Sequence, residues 1–280
     1  MTDQPKTDNE VSGSGPPEPG AAGIGAGGRR RLAASVRKAD SLARDGRFDE
    51  AALRMEQALQ LDPGNTAYLL RLAGVRRGQG RTDEAIDLAC RVLDAQSRCS
   101  EAQEFLLQLY LETGQYEEVI NRGKHFIRAV PNSMQARDLM GAAYLQLGQL
   151  DKALQITSEL IRLDPTDAVN HFKRAVLYQQ KGELGKAIRE FIRVVDLDPE
   201  GEMADDAREA IASIDSFQLR QIIALAIEDR LFRAKLIRDP ESAPTEKGFF
   251  LSSGGVATLK QVDFDGLGDP SGPGDQPTYH

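Results

Sequence analysis

The sequence predicts an all-α fold built from a tandem series of helical hairpins. Five glycines stand 34 residues apart, and a second, mostly proline series follows the same period. A fixed period of this length is the signature of a helical repeat array. A single unit of this kind cannot bury its apolar face alone, so it stacks on its neighbours and presents an extended surface. The glycines are Gly46, Gly80, Gly114, Gly148 and Gly182, and the second series is Pro63, Ser97, Pro131, Pro165 and Pro199.

Placing the proline series at position 32 of each unit divides the chain into five repeats without gaps. Small side chains then fall at positions 8 and 20, where they allow two antiparallel helices to approach closely. Apolar residues recur at three- and four-residue spacing, which is the period of a helix rather than of a strand. The repeats are residues 32–65, 66–99, 100–133, 134–167 and 168–201, with Ala39, Ala73, Gly141 and Ala175 at position 8 and Ala51, Ala85, Ala153 and Ala187 at position 20.

The ends of the helices are also marked in each repeat. A glycine at position 15 can take the left-handed conformation that ends the first helix. The second helix mostly opens with acidic residues, which the helix dipole favours, and it ends before the proline, whose ring disfavours helical geometry in the preceding residue. Asn65, Ser133 and Asp167 are placed to cap the helix that follows.

These columns, together with bulky residues such as Phe48 and Tyr116 at position 17, resemble the tetratricopeptide repeat over residues 32–201. The resemblance implies a right-handed superhelical solenoid whose inner surface is lined by the first helix of each repeat. The third repeat departs most, with Leu107 and Val119 where small residues are expected and Gly123 where a large one usually packs. We interpret this as compensated repacking and predict that it is the weak point of the array.

Beyond the repeats, residues 202–216 are predicted to form a capping helix and residues 217–265 a small C-terminal helical module. A second helix is expected from residue 217 to about residue 237, where Asp239-Pro240 stops it. A third, short helix is expected around Val256, Leu259 and Val262. The apolar face of the second helix is broader than a simple cap requires.

Part of this module resembles the leader region of nitrile-hydratase-like peptide precursors. The resemblance rests on Phe232-Arg233, Asp239-Pro240, the segment 248–252 and a final short helix at residues 259–263. It implies a docking module that a processing or carrier enzyme recognises. The alternative is a small helical appendage that packs on the array.

Composition sets the expected class and location. The net charge is −8, and residues 202–280 hold 14 acidic and eight basic side chains. Phosphate binding draws on clustered lysine and arginine, so neither nucleic acid nor an anionic membrane is expected as a partner. Residues 1–31 and 266–280, rich in glycine and proline, are predicted to be disordered. The chain shows neither a targeting segment nor a run of about 18 apolar residues, and we expect a cytoplasmic protein.

The inventory of reactive side chains does not support an enzyme. No metal-ligand spacing, nucleophile motif or plausible triad is present, so neither a cofactor nor a metal is expected. Cys90 and Cys99 are predicted to be reduced thiols. His125 and His171 are predicted to be structural or surface histidines.

Function is therefore expected on the inner surface of the first helices, as a groove that binds a peptide or helix of another protein. The groove is predicted to be basic at its start, acidic in its middle and apolar at its end, which suits a segment with an acidic end and apolar anchors. We predict a non-catalytic scaffold or adaptor of undetermined oligomeric state; the alternative is an accessory protein of peptide modification, or of a processing complex, whose module 217–265 is docked by a partner enzyme. The predicted groove residues are Val36, Arg37, Asp40, Arg44, Leu70, Arg71, Arg77, Glu101, Glu104, Phe105, Gln108, Glu112, Asp138, Ala142, Phe172, Lys173 and Val176.

Overall fold

A computed structural model describes residues 25–266, in which the elements are 14 helices without any strand. The described residues divide into two compact units, one up to residue 113 and the other from residue 114 onward. The division falls between the two helices of the third repeat, the one that departs most from the common pattern. The all-helical fold with repeated helix-turn-helix packing is as predicted.

The first unit contains five helices, and each helix packs on the next along the chain. The small residues of positions 8 and 20 lie where the paired helices meet, because Ala39, Ala51, Ala73 and Ala85 are no more than 1% exposed. Their short side chains let the helices approach closely. The helices are α1 (Ala26–Arg44), α2 (Phe48–Leu61), α3 (Thr66–Gly78), α4 (Thr82–Ala95) and α5 (Ser100–Glu112).

The second unit continues the same hairpins and then adds the C-terminal helices. Ala153, Ala175 and Ala187 are again at most 1% exposed. Its helices are α6 (Tyr116–Ala129), α7 (Met134–Gln146), α8 (Leu150–Leu163), α9 (Ala168–Gln180), α10 (Leu184–Leu197), α11 (Glu202–Glu228), α12 (Arg230–Arg238), α13 (Ala243–Glu246) and α14 (Ser253–Leu259).

The predicted helix ends are confirmed. All five repeat glycines have positive φ, between 68° and 75°, a conformation that other residues adopt only at a steric cost. The side chains of Asn65, Ser133 and Asp167 each accept a hydrogen bond from a backbone N–H in the first turn of the next helix. These local signals are independent of the packing, so they fix the hairpin register from the sequence alone.

The third repeat compensates for its glycine as expected. A Cβ at Gly123 of α6 would lie 2.6 Å from Cγ and Sδ of Met140 in α7, so the methionine occupies the space that a larger residue would fill. Met140 is 1% exposed, and Val119 is fully buried. The side-chain volume that is missing at Gly123 is thus supplied by Met140 of the next helix.

The prediction of separate helices at residues 202–216 and 217–237 is wrong. Helix α11 runs without interruption from Glu202 to Glu228, and the break comes at Asp229. The 34-residue register explains why. The position equivalent to Gly182 is Ser216, which gives no left-handed helix end, so the helix continues for three further turns.

The start of the array also differs from the prediction. Helix α1 begins at Ala26, so residues 26–31 of the arm predicted to be disordered are helical. The remainder of that arm, residues 1–24, and residues 267–280 of the predicted disordered tail lie outside the described residues.

The C-terminal module packs on α11 through residues 248–255, which we call the strap. The Gln218 amide donates a hydrogen bond to the Phe250 carbonyl and accepts one from the Phe250 N–H, each at 2.8 Å. The Asp215 carboxylate accepts from the Ser252 N–H at 2.9 Å and from the Ser252 hydroxyl. Ser252 then caps α14 by accepting from the Gly255 N–H at 3.1 Å. The strap is thus bonded to side chains more than 30 residues earlier in the chain.

Two glycines that break the sequence pattern make room for this strap. A Cβ at Gly185, in the first turn of α10, would lie 2.6 Å from Cγ of Phe250. A Cβ at Gly255 would lie 2.6 Å from Cγ of Asp215. Helix α14 spans Ser253–Leu259, whereas the leader-like pattern places its final short helix at residues 259–263. Through Phe250 and Ser252 the module contacts α10 and α11.

Among residues 25–266, α11 is the one helix long and apolar enough to cross a bilayer by length and composition. The sequence was expected to contain no such run. The difference arises because the acidic residues of α11 are concentrated in its first turns. The helix packs on α10, α12 and α14, and 28% of its apolar window is buried.

Candidate functional site

The predicted groove residues fall on the first helices of the repeats, and most of them are accessible. Val36 is the exception. Its side chain is 5% exposed and belongs to the apolar core of the first unit, so it cannot contact a ligand. Its position in the repeat did not reveal this burial, because Val36 lies in the first helix of the array and packs into the core of the first unit. The exposed or half-buried residues are Arg37, Asp40, Arg44, Leu70, Arg71, Arg77, Glu101, Glu104, Phe105, Gln108, Glu112, Asp138, Ala142, Phe172, Lys173 and Val176.

In the first unit, charged residues of this surface pair with one another across neighbouring repeats. Arg71 of α3 bonds to Asp40 of α1. Arg77 of α3 makes a two-point contact with Glu112 of α5, with N–O distances of 2.6 and 2.9 Å. Opposite charges that neutralise each other offer less net field to a ligand. The predicted basic start is therefore less basic than a count of its side chains suggests.

A shallow cavity of about 310 Å³ lies between α3 and α5 of the first unit. Four predicted residues line it: Leu70, Arg71, Glu101 and Phe105. With Ala67, its lining combines three apolar side chains and two of opposite charge. This cavity can contact an apolar group, but its charged lining makes it a weak anchor.

The second unit contains a more apolar cavity, which we call the α7–α9 cavity. Its volume is also about 310 Å³. Five predicted groove residues line it together with residues of α7, α8 and α9 that were not predicted. The lining consists of Asp138, Gly141, Ala142, Leu145, Thr157, Leu160, Phe172, Lys173, Val176 and Leu177.

The shape of the α7–α9 cavity is set by a small residue and a fixed aromatic ring. Gly141 has no side chain, and a Cβ there would lie 3.5 Å from Ile156. Phe172 packs edge-to-face against the buried ring of Phe191, with ring centroids 5.4 Å apart. Such aromatic pairs have a preferred geometry, so the Phe172 ring is held in place.

The rim of the α7–α9 cavity carries an ion pair. Lys173 of α9 bonds to Asp138 of α7, and these side chains are 42% and 52% exposed. Exposed pairs of this kind contribute less than about 1 kcal/mol to stability. The pair can therefore exchange for ligand charges at little cost.

Sequence reasoning missed the contribution of α8. Thr157 and Leu160 were outside the expected set, because only the first helix of each repeat was assigned to the inner surface. Thr157 is a polar residue in the buried face of α8 and is 4% exposed, with its hydroxyl donating to the Ala153 carbonyl at 2.9 Å. The sequence signal that could have indicated this contribution of α8 is the single threonine, Thr157, among otherwise apolar buried positions.

The histidines and cysteines do not gather into a site. His171 is 6% exposed and bonds to Glu190 at 2.8 Å and to the Pro165 carbonyl at 3.2 Å, which confirms a structural role. His125 lies on the exposed surface of α6. Cys90 and Cys99 are half-buried and not joined by a disulfide. Across residues 25–266, no group of three or more potential metal ligands occurs.

Family models support the repeat assignment directly. Two tetratricopeptide repeat models match residues 42–109 and 139–212, which together make up more than half of the chain. The chain is a tetratricopeptide repeat protein. A third model, that of subunit 3 of the anaphase-promoting complex (cyclosome), matches residues 78–160. The leader-like resemblance stays a prediction, because the matched models end at residue 212.

Solved structures show the same fold. MamA residues 41-end from Desulfovibrio magneticus RS-1 align with a TM-score of 0.55 and 19% identity over 61% of this chain and 97% of theirs. YrrB, described as a TPR protein with an unusual peptide-binding site, aligns with a TM-score of 0.50 and 20% identity over 62% of this chain and 90% of its own. At these identities the likeness concerns the fold alone. No curated protein matches the sequence.

Proposed function

We propose that this tetratricopeptide repeat protein is a non-catalytic interaction scaffold whose first helices bind a peptide or helix of another protein. The family and fold are typical of such scaffolds, and YrrB offers a precedent for peptide binding on this fold. The single observation that carries the proposal is the α7–α9 cavity, an apolar recess bordered by charge on the predicted binding surface.

The size of the cavity indicates what it takes. About 310 Å³ is at the lower limit of ligand pockets, which span about 300–1,000 Å³. It accommodates a bulky apolar side chain rather than a large cofactor. Burying one leucine or phenylalanine side chain contributes about 1.5–3 kcal/mol, which is the scale of an interface anchor.

The rim then orients the ligand. An acidic ligand residue is attracted to Lys173, and a basic one to Asp138, each in exchange for the existing ion pair. Because this exchange is nearly neutral in energy, the rim sets direction more than affinity. Leu70 and Phe105 of the first unit provide a further apolar contact within their own cavity.

The test is a peptide-display selection on the full chain, followed by affinity measurements on two alanine-to-leucine variants. Ala142→Leu fills the α7–α9 cavity, whereas Ala129→Leu adds the same bulk at an exposed position of α6. We expect selected peptides to share a bulky apolar residue and to lose about tenfold or more in affinity for Ala142→Leu alone. Equal binding to both variants would remove the cavity from the mechanism.

The alternative, in which a partner enzyme docks on residues 217–265, has less support. In this structure the strap is bonded to Asp215 and Gln218 of the same chain, so an enzyme that binds the strap itself would have to displace these hydrogen bonds. The expectations of a cytoplasmic location and of neither a nucleic-acid nor a membrane partner remain proposals that rest on the sequence.

A further inference from the structure

A further cavity lies where the strap meets the last repeat, and we call it the strap cavity. Its volume is about 360 Å³, and residues of α10, α11 and the strap line it together with the turn before α10. The whole lining lies in the second compact unit. None of its residues lines the α7–α9 cavity, so the strap cavity is a separate site.

The walls of the strap cavity are held in place by the strap itself. The Phe250 backbone makes two hydrogen bonds of 2.8 Å with the side chain of Gln218. The Phe250 ring lies against Gly185, where a Cβ would be 2.6 Å from its Cγ. A site that is formed before its ligand arrives loses less free energy to ordering on binding. The strap cavity therefore needs no rearrangement to accept a ligand.

One positive charge in the lining of the strap cavity is not compensated. Glu183 bonds to Lys181 at 2.8 Å and to Lys186 at 2.5 Å, so these charges are already paired. Arg189 of α10 is exposed, and among residues 25–266 its guanidinium has neither a hydrogen bond nor an ion pair. The exposed carboxamide of Gln221 on α11 likewise lacks a partner in this part of the chain. A guanidinium and a carboxamide are thus available to a ligand.

Apolar side chains make up another part of the same lining. Leu184 and Phe249 are half-buried, and Phe250 is 43% exposed. An apolar ligand group that covers these side chains removes apolar surface from water, which favours binding. The strap cavity therefore combines apolar contact with one free cation.

We propose that the strap cavity binds a small carboxylic acid with an apolar body. The guanidinium of Arg189 presents its N–H groups as a planar fork, which matches the two oxygens of a carboxylate. A phosphate monoester carries nearly two negative charges at pH 7, and one free cation would leave part of that charge unpaired. The volume is near the lower limit of ligand pockets, about 300–1,000 Å³, which suits a small molecule. This inference does not rest on the proposed function.

Such a ligand would also stabilise the docked strap. It would contact α10, α11 and the strap at once, because all three line the cavity. A ligand that binds the docked form and not the open form shifts the equilibrium between them towards docking by mass action. Binding should therefore be visible both at Arg189 and in the local opening of the strap.

The experiment is a protein-observed NMR titration of the full chain. The probe is hydrocinnamate, and hydrocinnamyl alcohol is its uncharged match with the same phenyl group and chain length. Arg189→Gln removes the free cation, whereas Arg162→Gln removes the same charge at an exposed position of α8 outside the lining. Ala142→Leu fills the α7–α9 cavity and tests whether the acid binds there instead. Phenyl phosphate tests the preference for a single charge.

We expect hydrocinnamate to bind about tenfold or more tightly than the alcohol, and Arg189→Gln to remove this preference. Arg162→Gln and Ala142→Leu should leave the affinity for the acid unchanged. At about ten times its dissociation constant, the acid should slow hydrogen exchange by local opening of the strap about tenfold. The proposal is overturned if the acid does not bind, if acid and alcohol bind equally, or if the acid preference survives Arg189→Gln. Tighter binding of phenyl phosphate than of hydrocinnamate also overturns it.

Discussion

The hydrogen bonds between Gln218 and the strap allow a quantitative prediction. The Gln218 side chain is 2% exposed and makes two hydrogen bonds of 2.8 Å with the Phe250 backbone. Gln218→Leu keeps a similar volume but leaves the Phe250 N–H and carbonyl without this partner. Since one such hydrogen bond contributes about 1 kcal/mol net, losing two should destabilise the docked strap by about 2 kcal/mol.

The assay is hydrogen exchange followed by mass spectrometry on peptides that cover residues 248–255. A loss of about 2 kcal/mol corresponds to roughly 30-fold faster exchange wherever exchange occurs by local opening of the strap. Gln155→Leu is the matched control, because Gln155 is exposed on α8 and does not line the cavity beside the strap. Wild-type exchange rates in a folded Gln218→Leu variant would refute the assigned role of these hydrogen bonds.

Three further predictions concern stability. Gly255→Ala should lower the melting temperature, because its Cβ would lie 2.6 Å from Cγ of Asp215. Gly254→Ala should leave the melting temperature unchanged or raise it, because alanine is favoured over glycine in a helix by up to about 1 kcal/mol. The hydrogen bond from the Phe232 N–H, followed by the contact with Lys247, lowers the pKa of Asp229 below its usual 3.8. The ionised Asp229 therefore stabilises α12 above about pH 4, and this stabilisation is lost as the pH falls through the folded-state pKa. Asp229→Asn should remove this pH-dependent stabilisation from a circular-dichroism titration. Arg76 stands where Leu42 stands in the first repeat; its side chain is 11% exposed, and it pairs with Glu56 and Glu84, which are 43% and 44% exposed. Arg76→Leu keeps an apolar group in the mostly buried space and leaves two glutamates that water can reach, so the unfolding free energy in urea should change by less than about 1 kcal/mol. A loss above about 3 kcal/mol would indicate that Arg76 acts as a buried charge in a coupled network.

Local signals explain why so much of the fold was predictable. Glycines that need positive φ, side-chain caps and Asp-Pro ends act within a few residues, so Gly46 or Asn65 can be interpreted without knowing the tertiary structure. The prediction of a helix end at Ser216 was wrong. No glycine stands there to adopt a positive φ and end the helix, so α11 continues to Glu228.

The interactions that could not be predicted join residues without a periodic relation. Asp215 and Ser252 are 37 residues apart, and no repeat column links them. Glycine inside a helix is unfavourable, and only the structure shows that Phe250 and Asp215 occupy the space beside Gly185 and Gly255. The partner of each glycine lies far along the chain, so the sequence does not identify it.

The candidate site was predicted in part for a similar reason. Assigning groove positions by column found Asp138, Ala142 and Phe172, but a column carries no information on which charges pair. The ion pairs Asp40–Arg71 and Arg77–Glu112 appear only once neighbouring repeats are stacked. Burial of Val36 likewise depends on packing at the start of the array.

The strap also affects whether another hairpin can stack on the end of the repeat array. In a repeat series, the last hairpin normally offers a bare stacking platform, onto which another hairpin or another molecule can add head to tail. Here Phe250 covers the start of α10 at Gly185, while Gln218 and Asp215 hold the strap on α11. Another 34-residue unit could stack on α10 at this end only by displacing α11 and the strap that is bonded to it.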